Sequence, residues 1–330
     1  MLKSLFVRAP AEMGLGLLLI CLLLSVSLAF PPFLDPVNLK SAFDDTSLLL
    51  MMAVGEMFVL LTRSVDLSVA ANAALTGMAV ALFNARYPAL GILPVLLIAL
   101  AMGSALGAIN GLLVWRLRIP SIVVTLGTLS VFRGLVYIAS GGAWVNSGQM
   151  SPAFLNLVRL PLLGINLLSW TGVLIAVLAF LFLRYSLTGR NLYAAGNNPE
   201  AAAYAGINVG RLQCAAFILC GAISGLSGYF WVARFGVAYT DVASGFELQV
   251  IAACVIGGVS ISGGTGGVAG VILGALFLGI IKNALPVVGI SPFFQLLISG
   301  LVITVAVVLN SGTQRKTHGR HILESNKGTT

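Results

Sequence analysis

The chain has 330 residues, of which 58% are apolar and only 8% are Asp, Glu, Lys or Arg, and its mean hydropathy is +1.03. Soluble domains carry about 25% charged residues, so this composition argues against a secreted enzyme, a disulfide scaffold and a nucleic-acid binder. The longest uncharged runs hold 34 and 32 residues, from Leu248 to Ile281 and from Asn283 to Gln314. About 20 apolar residues cross a bilayer core as a helix. We therefore predict an all-α, polytopic integral membrane protein.

Gaps between charges, prolines and turn residues divide the chain into about ten predicted transmembrane helices, preceded by the short segment 1–12. The predicted spans are 13–30, 47–62, 67–84, 91–115, 119–139, 167–184, 212–231, 247–259, 267–285 and 292–310. Residues 311–330 follow as a polar tail. Lys3 and Arg8 precede the first apolar run, as in a signal peptide, but no convincing small-residue cleavage site follows it. We therefore expect a retained first span.

The formal net charge of +8 predicts sidedness rather than an anionic ligand. In a multi-spanning protein, an excess of Lys and Arg marks the cytoplasmic loops. With the N-terminus inside, twelve Lys and Arg residues fall in cytoplasmic segments and four in external ones. We predict that both termini are cytoplasmic and that residues 13–310 form one membrane domain.

Ionisable and polar residues interrupt the second and third spans: Glu56, Arg63 and Asp66, followed by Ser68 and Asn72. An ionisable group at membrane depth costs a few kcal/mol and usually faces a partner or a watery cavity. Glu56, Asp66, Ser68 and Asn72 are therefore candidates to line or brace a translocation path. The alternative is that Arg63 and Asp66 lie in a cytoplasmic turn that is exposed to water.

Arg133 lies in the middle of the fifth predicted span, where an unpaired guanidinium is hard to tolerate. Two interpretations stay open. It pairs with Glu56 or Asp66 and braces the bundle, or it projects hydrogen-bond donors into a polar path. It is a further path candidate.

Two long loops separate the middle spans: an external one, about 140–166, and a cytoplasmic one, about 186–211. The cytoplasmic loop contains Asn198, Pro199 and Glu200 before a run of small residues. Proline at the first helical position after a capping Asn is a typical helix start. We predict one or two short helices in this loop, lying beside the membrane.

Glycines recur at helical spacing within two of the predicted spans. Gly103, Gly107 and Gly111 share one helix face, as do Gly270 and Gly274. Small residues at this period let helices approach closely in lipid, so we predict tight packing there. The two stretches also form a weak internal repeat in spans of opposite direction, as in transporters with inverted repeats.

The sequence favours no catalytic residues, no metal and no cofactor. Both histidines, His318 and His321, lie in the C-terminal tail, so no His-based triad or metal cluster can be built within the membrane. The four cysteines fall in apolar runs without metal-site spacing. The glycine-rich stretch 257–267 lacks the Lys and Ser or Thr of a phosphate loop, and we interpret it as a tight turn between two spans.

Several stretches together resemble the permeases of the ABC sugar importers that handle ribose, xylose and rhamnose, with rhamnose permeases the nearest. The run Thr188–Ala202, followed by Gly206, is similar to their cytoplasmic coupling loop, and 255–275 is similar to their glycine-rich last third. Shorter matches are Ser64–Val69, Asn110–Gly111 and Pro120–Thr128. The resemblance covers about residues 45–310.

The resemblance implies that the loop docks a separate ATP-binding subunit. The docking residues that it implies are Arg190, Asn198, Pro199, Glu200, Ala201, Ala202 and Gly206. The Ile-x-Leu-Pro that ends the wider docking pattern is missing from this chain. The other implied partners are a periplasmic sugar-binding protein, a second permease chain and membrane lipid, with no nucleic acid, in a bacterial inner membrane.

Two other functions stay open on the residues alone. An ion-coupled secondary transporter would use Glu56 and Asp66 as coupling carboxylates. A structural or signalling membrane protein would use the large cytoplasmic loop to dock a regulator.

Overall fold

The computed structural model describes residues 2–287 and five single helical positions beyond them: Phe294, Leu297, Gly300, Leu301 and Thr304. Helices dominate this part of the chain. They are α1 (Leu2–Ala29), α2 (Pro36–Leu61), α3 (Val69–Arg86), α4 (Leu93–Leu117), α5 (Ser121–Ser140), α6 (Pro152–Asn156), α7 (Leu167–Tyr185), α8 (Leu187–Asn197), α9 (Pro199–Tyr204), α10 (Val209–Phe235), α11 (Phe246–Ile256) and α12 (Val268–Val287). The all-α polytopic prediction is confirmed.

The first nine predicted spans each correspond to one helix, whereas the tenth, 292–310, and the tail 311–330 lie outside the described residues apart from the single positions. Within the described part of the chain, four helices are long and apolar enough to cross a membrane by length and composition: α4, α5, α7 and α10. Helix α11 differs from its predicted span, because its eleven residues rise only about 16 Å at 1.5 Å per residue. It reaches roughly half of a hydrocarbon core of about 30 Å.

Capping residues set where the helices begin and end. The Asp35 side chain accepts a hydrogen bond from the Val37 N–H at the start of α2, and Asn208 accepts one from the Arg211 N–H at the start of α10. These side chains satisfy N–H groups that have no partner within the helix. Helix α10 ends at Gly236 in the left-handed conformation (φ 71°), which glycine adopts without steric cost.

Helix α2 is the centre of the bundle. Every residue from Thr46 to Leu61 is buried, and α2 packs against α7, α10, α11 and α12. By contrast, α4, α5 and α7 keep many large apolar side chains exposed, among them Leu97, Val131 and Leu178. A helix that is apolar on all sides is buried in the core or faces lipid.

The predicted close approach at the glycine stripes is confirmed. Helices α4 and α10 touch through their backbones: a side chain at Gly103 or Gly107 would overlap the carbonyl oxygen of Gly221 or Phe217. Likewise, Gly274 of α12 lies against the backbone of Ala253 in α11, and Gly270 lies against that of Gly257, which caps α11. Glycine is required at these positions because no other residue leaves room for the facing helix. The internal repeat stays a prediction.

Short strands occur at one end of the bundle only, within the described residues. Strand β1 (Val145–Asn146) pairs antiparallel with β4 (Val237–Ala238), and β2 (Pro161–Leu162) pairs with β3 (Ile165–Asn166) in a tight hairpin. The loop after α5 therefore packs beside the chain that leaves α10. We call this the Arg234 end, after the last basic residue of α10.

The opposite end, which we call the Arg63 end, collects the connection between α2 and α3, helices α8 and α9, and the glycine-rich loop 257–267. Gly263 and Gly264 contact Arg63 and Asn197 there. The segments predicted to share a membrane side thus lie together. The glycine-rich loop is a turn between α11 and α12, as predicted.

Candidate functional site

Helices α8 and α9 form a surface segment at the Arg63 end. The Asn198 side chain accepts a hydrogen bond from the Ala201 N–H at 3.0 Å, and Pro199 occupies the first turn of α9. The predicted helix start is therefore confirmed. Gly206 follows α9 in the left-handed conformation (φ 83°), which separates α9 from α10.

The predicted docking residues are mostly exposed. Arg190, Glu200 and Ala201 are exposed, and Tyr204 at the end of α9 is 93% exposed. Ala202 differs, because it is buried and holds α9 to the bundle. The segment thus offers one anchored face and one free face.

Arg63 joins this segment to the core of the bundle. Its Nε donates to the Gly196 carbonyl at 2.6 Å, and its Nη2 donates to the Asn197 carbonyl at 2.8 Å. These carbonyls close α8, where the last carbonyls of a helix have no partner within the helix and favour a cation. Arg63 therefore caps α8 from the connection between α2 and α3.

The backbone of Arg63 has a conformation that is unfavourable for a residue with a side chain. The Arg63 N–H bonds to the Leu60 carbonyl and the Ser64 N–H to the Val59 carbonyl, which is the hydrogen-bond pattern of a Schellman motif. Arg63 occupies the left-handed position (φ 62°), where glycine is usual. An arginine there carries a steric cost that the two bonds to α8 offset.

The glycine-rich loop completes the same joint. The Gly264 N–H donates to the Leu61 carbonyl at 3.0 Å. A Cβ atom at Gly196 would overlap that carbonyl oxygen and the Gly264 nitrogen. The C-terminal ends of α2 and α8 and the loop before α12 therefore meet backbone to backbone. We call the set Leu61, Arg63, Gly196, Asn197 and Gly264 the backbone joint.

A buried polar network lies next to the backbone joint. Glu56 is fully buried, and its Oε1 accepts a hydrogen bond from the Asp66 N–H at 3.0 Å. Asp66 Oδ1 accepts from the Ser68 N–H at 2.9 Å and from the Ser68 hydroxyl at 2.6 Å. Asn110 of α4 donates to the Ser68 hydroxyl oxygen at 2.7 Å. The structure brings the predicted path candidates Glu56, Asp66 and Ser68 together with Asn110, to which sequence reasoning gave no role. That they line a translocation path stays a prediction.

Asn72 extends the network by one helical turn. It donates to the Gly103 carbonyl at 3.1 Å and accepts from the Thr76 hydroxyl at 3.2 Å. The predicted alternative is therefore half right: Arg63 is exposed in a turn, whereas Asp66 is buried. One buried acceptor, Oδ1 of Asn110, has no hydrogen-bond partner among the described residues. It is available to a water molecule or a ligand hydroxyl.

Asp66 lies in the connection between α2 and α3, outside both helices. Burial raises the pKa of its carboxyl to about 6, although its hydrogen bonds from Ser68 and Asn110 act in the opposite direction. Asp66 therefore titrates close to neutral pH.

The proposed pairing of Arg133 with Glu56 or Asp66 is wrong. Arg133 Nη1 donates to the Val242 carbonyl at 2.6 Å, near the Arg234 end. The Ser121 hydroxyl, at the first residue of α5, binds the Val65 N–H beside Asp66. Arg133 lies twelve residues further along α5, about 18 Å at 1.5 Å per residue. It fastens the segment between α10 and α11 to α5 instead.

The Arg234 end contains a charged cluster that sequence reasoning missed. The Arg234 guanidinium lies 3.2 Å from Asp45 and 3.9 Å from the buried Asp44, and it donates to the Ser41 hydroxyl at 2.8 Å. Asp44 also accepts from Ser169 of α7 at 2.7 Å. Two adjacent acids before an apolar run indicate such a cluster, but their partner is 189 residues away.

Among the described residues, no group of three or more His, Cys, Asp or Glu side chains can hold a metal ion. The buried cysteines pack as small side chains. Cys220, whose thiol lies 3.8 Å from Glu56 Oε2, belongs to the edge of the polar network. The exposed face of α9 is thus connected to α2 and to the loop before α12 through the backbone joint.

Comparison with known proteins identifies relatives over most of the chain. The family profile described as "Branched-chain amino acid transport system / permease component" matches residues 39–307. The autoinducer 2 import system permease protein LsrC of Salmonella typhi is 35% identical over 307 residues, which are 92% of this chain and 87% of the relative. The ribose import permease protein RbsC of Escherichia coli K12 is 35% identical over 301 residues, 90% and 92% of the two chains.

No solved structure matches the chain at a significant level. The relatives confirm the resemblance to permeases of sugar importers, whereas the nearness to rhamnose permeases stays unconfirmed.

Proposed function

Because the chain belongs to the family of transport-system permease components, we propose that it is the membrane subunit of an ATP-driven, binding-protein-dependent importer of a monosaccharide of the ribose, xylose or rhamnose type. The observation that carries the proposal is 35% identity over nine-tenths of the chain to a ribose import permease. ATP hydrolysis takes place on a separate ATP-binding subunit, and the permease alternates access to a central path. A periplasmic sugar-binding protein delivers the substrate.

The α8–α9 segment is the dock for the ATP-binding subunit. Its free face presents Arg190, Glu200, Ala201 and Tyr204, while Ala202 anchors it to the bundle. A partner that moves α8 and α9 also moves Arg63 and Gly264, because Arg63 donates to the last carbonyls of α8 and Gly264 packs against Gly196 and Asn197. The joint thus delivers the displacement to α2 and α12 together.

The Arg63 end is the cytoplasmic side in this proposal, since the Lys and Arg bias favours it, and the same bias assigns both termini to the cytoplasm. The Arg234 end then lies on the opposite, periplasmic side of the bacterial inner membrane, where it faces the binding protein. Two permease chains enclose the path, because one bundle supplies one wall. The exposed apolar faces of α4, α5 and α7 contact lipid or the second chain.

Glu56, Asp66, Ser68 and Asn72 brace the path next to the joint, and Asn110 Oδ1 offers a free acceptor for a sugar hydroxyl. Arg133 acts at the other end of the bundle, where it holds the segment before α11. Neutral sugars need hydrogen-bonding groups rather than a countercharge, and a path of Ser, Thr and Asn side chains supplies them.

Reconstitution into liposomes tests the transport mechanism. We expect sugar uptake only when the ATP-binding subunit, ATP and the binding protein are all present. Uptake by the chain alone, driven by a proton or sodium gradient, would mean an ion-coupled carrier instead.

Cysteine crosslinking tests the dock. The native Cys21 is exposed and is first replaced by Ser. Ala203→Cys, on the exposed side of α9, should then crosslink to the ATP-binding subunit, whereas Leu163→Cys in the β2–β3 hairpin, 85% exposed, should not. The reverse pattern, or labelling of Ala203→Cys by an impermeant reagent added outside intact cells, would refute both the dock and the orientation.

A further inference from the structure

A cavity of about 620 Å³ opens at the Arg63 end, between the start of α5, the start of α10 and the C-terminal end of α4. Its walls include Arg63, Arg118 and Trp115, with Ser121, Asn208 and Gln213 as hydrogen-bonding groups. None of its lining residues is acidic. The cavity is therefore polar and positively charged, and the transport function uses none of its free donors.

Three further features add positive potential. Two other arginines lie against the Trp115 ring: the guanidinium of Arg116 is 4.5 Å from its centroid and that of Arg211 is 6.0 Å away. Helices α5 and α10, of 20 and 27 residues, begin at the cavity, and helix N-termini favour anions. Helix α5 starts after Pro120 with no side-chain cap. Its first bonded N–H is that of Val123, to the Pro120 carbonyl, which leaves the N–H groups of Ser121 and Ile122 available to an anion among the described residues.

Exposed apolar side chains lie next in sequence to the residues that line the cavity, before Arg118 and after Ser121. Leu117 and Val123 are 62% and 61% exposed, and Ile122 beside them is also exposed. A tryptophan between basic and apolar surfaces is typical of the headgroup level of a membrane. Basic pockets between transmembrane helices at this level bind lipid headgroups. A free anion in water would not account for these exposed apolar side chains.

We propose that this cavity binds the phosphate headgroup of an anionic phospholipid in the leaflet at the Arg63 end. Arg118 supplies the main free guanidinium, because Arg63 already donates to α8, and the acyl chains lie along Leu117 and Val123. A bound lipid would then contact the same Arg63 that caps α8.

Native mass spectrometry tests the proposal on the purified chain in detergent, offered equal amounts of phosphatidylglycerol and phosphatidylcholine with identical acyl chains. We expect at least about a fivefold preference for phosphatidylglycerol. Arg118→Asn should bring the ratio close to one, and Asn tolerates the left-handed backbone of this position (φ 55°). Arg86→Ala, an exposed arginine at the end of α3 near the Arg234 end, is the matched control and should keep the preference.

Tryptophan fluorescence gives a second readout that does not depend on Arg118. The fluorescence of Trp115 is obtained as the difference between the native protein and Trp115→Phe. It should be quenched more by phosphatidylglycerol with brominated acyl chains than by phosphatidylcholine with the same chains. Equal quenching by both lipids, or an equal loss of preference in Arg86→Ala, would overturn the proposal. Displacement of the lipid by millimolar inorganic phosphate would assign the site to a soluble anion. Unchanged lipid binding with weaker binding of the ATP-binding subunit in Arg118→Asn would assign it to that partner.

Discussion

The two ends of the bundle are fastened by different kinds of contact. At the Arg234 end, side-chain charges connect α2 to α10, with Arg234 between Asp44 and Asp45. At the Arg63 end, α2, α8 and the glycine-rich loop meet backbone to backbone, and one arginine caps α8. Ion pairs between partly exposed side chains can separate and re-form, whereas backbones in contact move together. In the proposed transport cycle, we therefore expect the Arg63 end to transmit a displacement and the Arg234 end to open and close.

The largest expected effect is a steric break of the backbone joint. Gly196→Ala places a Cβ atom on the Leu61 carbonyl oxygen and the Gly264 nitrogen, and neither backbone group can rotate away. We expect a loss of more than about 3 kcal/mol of stability, at the upper end of the range for overpacking, and little protein in the membrane. The measurement is the melting temperature and yield by fluorescence-detected size exclusion.

Gly267→Ala is its matched control. Gly267 lies in the same glycine-rich loop as Gly264, which Gly196 faces, but nothing lies within 4 Å of a Cβ added at Gly267. It should behave as the native protein does. Equal yields for both variants would mean that α8 and the loop are not in contact as described.

The second largest effect is expected for Arg63→Gly, which separates the coupling of α8 to transport from the stability of the fold. Arg63→Gly suits the left-handed backbone better than arginine but removes both bonds to the α8 carbonyls. We therefore expect thermal stability within about 1 kcal/mol of the native value, together with about a tenfold fall in ATP-dependent uptake. The measurements are melting temperature and uptake in proteoliposomes.

Leu163→Gly is the control, because Leu163 also has a left-handed backbone (φ 52°) but lies in the hairpin at the other end. It should leave uptake unchanged. Native uptake in Arg63→Gly would show that the cap on α8 carries no movement.

The sequence predicted the helices of the bundle better than the long-range contacts that join them at each end. Span positions depend on runs of apolar residues, and the glycine stripes depend on a period of four, so both are local patterns. The partner of Asp44 and Asp45 is Arg234, and that of Arg63 is the end of α8, more than 130 positions away. No periodicity encodes such pairs. One of the two interpretations of Arg133, the pairing with Glu56 or Asp66, is wrong because a span position does not tell which end of the bundle a long side chain reaches.

Helix length was the other weakness. A charge-free run from Leu248 to Ile281 contains two helices and a turn, and charge gaps alone do not show that α11 stops after eleven residues. Its end is set by Gly257 and Gly258, the latter with φ 82°. Glycine in such a run marks a break only where a positive φ or a backbone contact requires it.

The third effect breaks the Arg234 end. Arg234→Ala leaves the buried Asp44 and the half-buried Asp45 without their cation, and we expect a loss of about 2 kcal/mol, less than for a fully buried pair because Arg234 is partly exposed. Arg159→Ala, at an exposed neighbour that donates only to the Arg234 carbonyl, is the control. Melting temperature of the native protein should fall between 0.05 and 0.5 M NaCl, since salt screens such pairs. Arg234→Ala should lose most of this salt dependence, and an unchanged slope would contradict the cluster.

The smallest effect is a pH dependence at Asp66. Its pKa of about 6 in the folded protein lies above the value of about 3.9 for an unfolded chain, so between these values the folded state holds a proton that the unfolded state has released. The contribution of Asp66 to the free energy of unfolding therefore rises as pH falls through 6 and levels off near 4, by at most about 1.4 kcal/mol per pH unit. Asp66→Asn keeps the acceptor for the Ser68 N–H and should flatten this part of the profile, measured as melting temperature between pH 7 and pH 5. Asp241→Asn, at an exposed carboxylate, should keep the native slope. If the native and Asp66→Asn profiles run parallel, Asp66 does not titrate between pH 7 and pH 5. The polar network next to the backbone joint would then keep one charge state over this range.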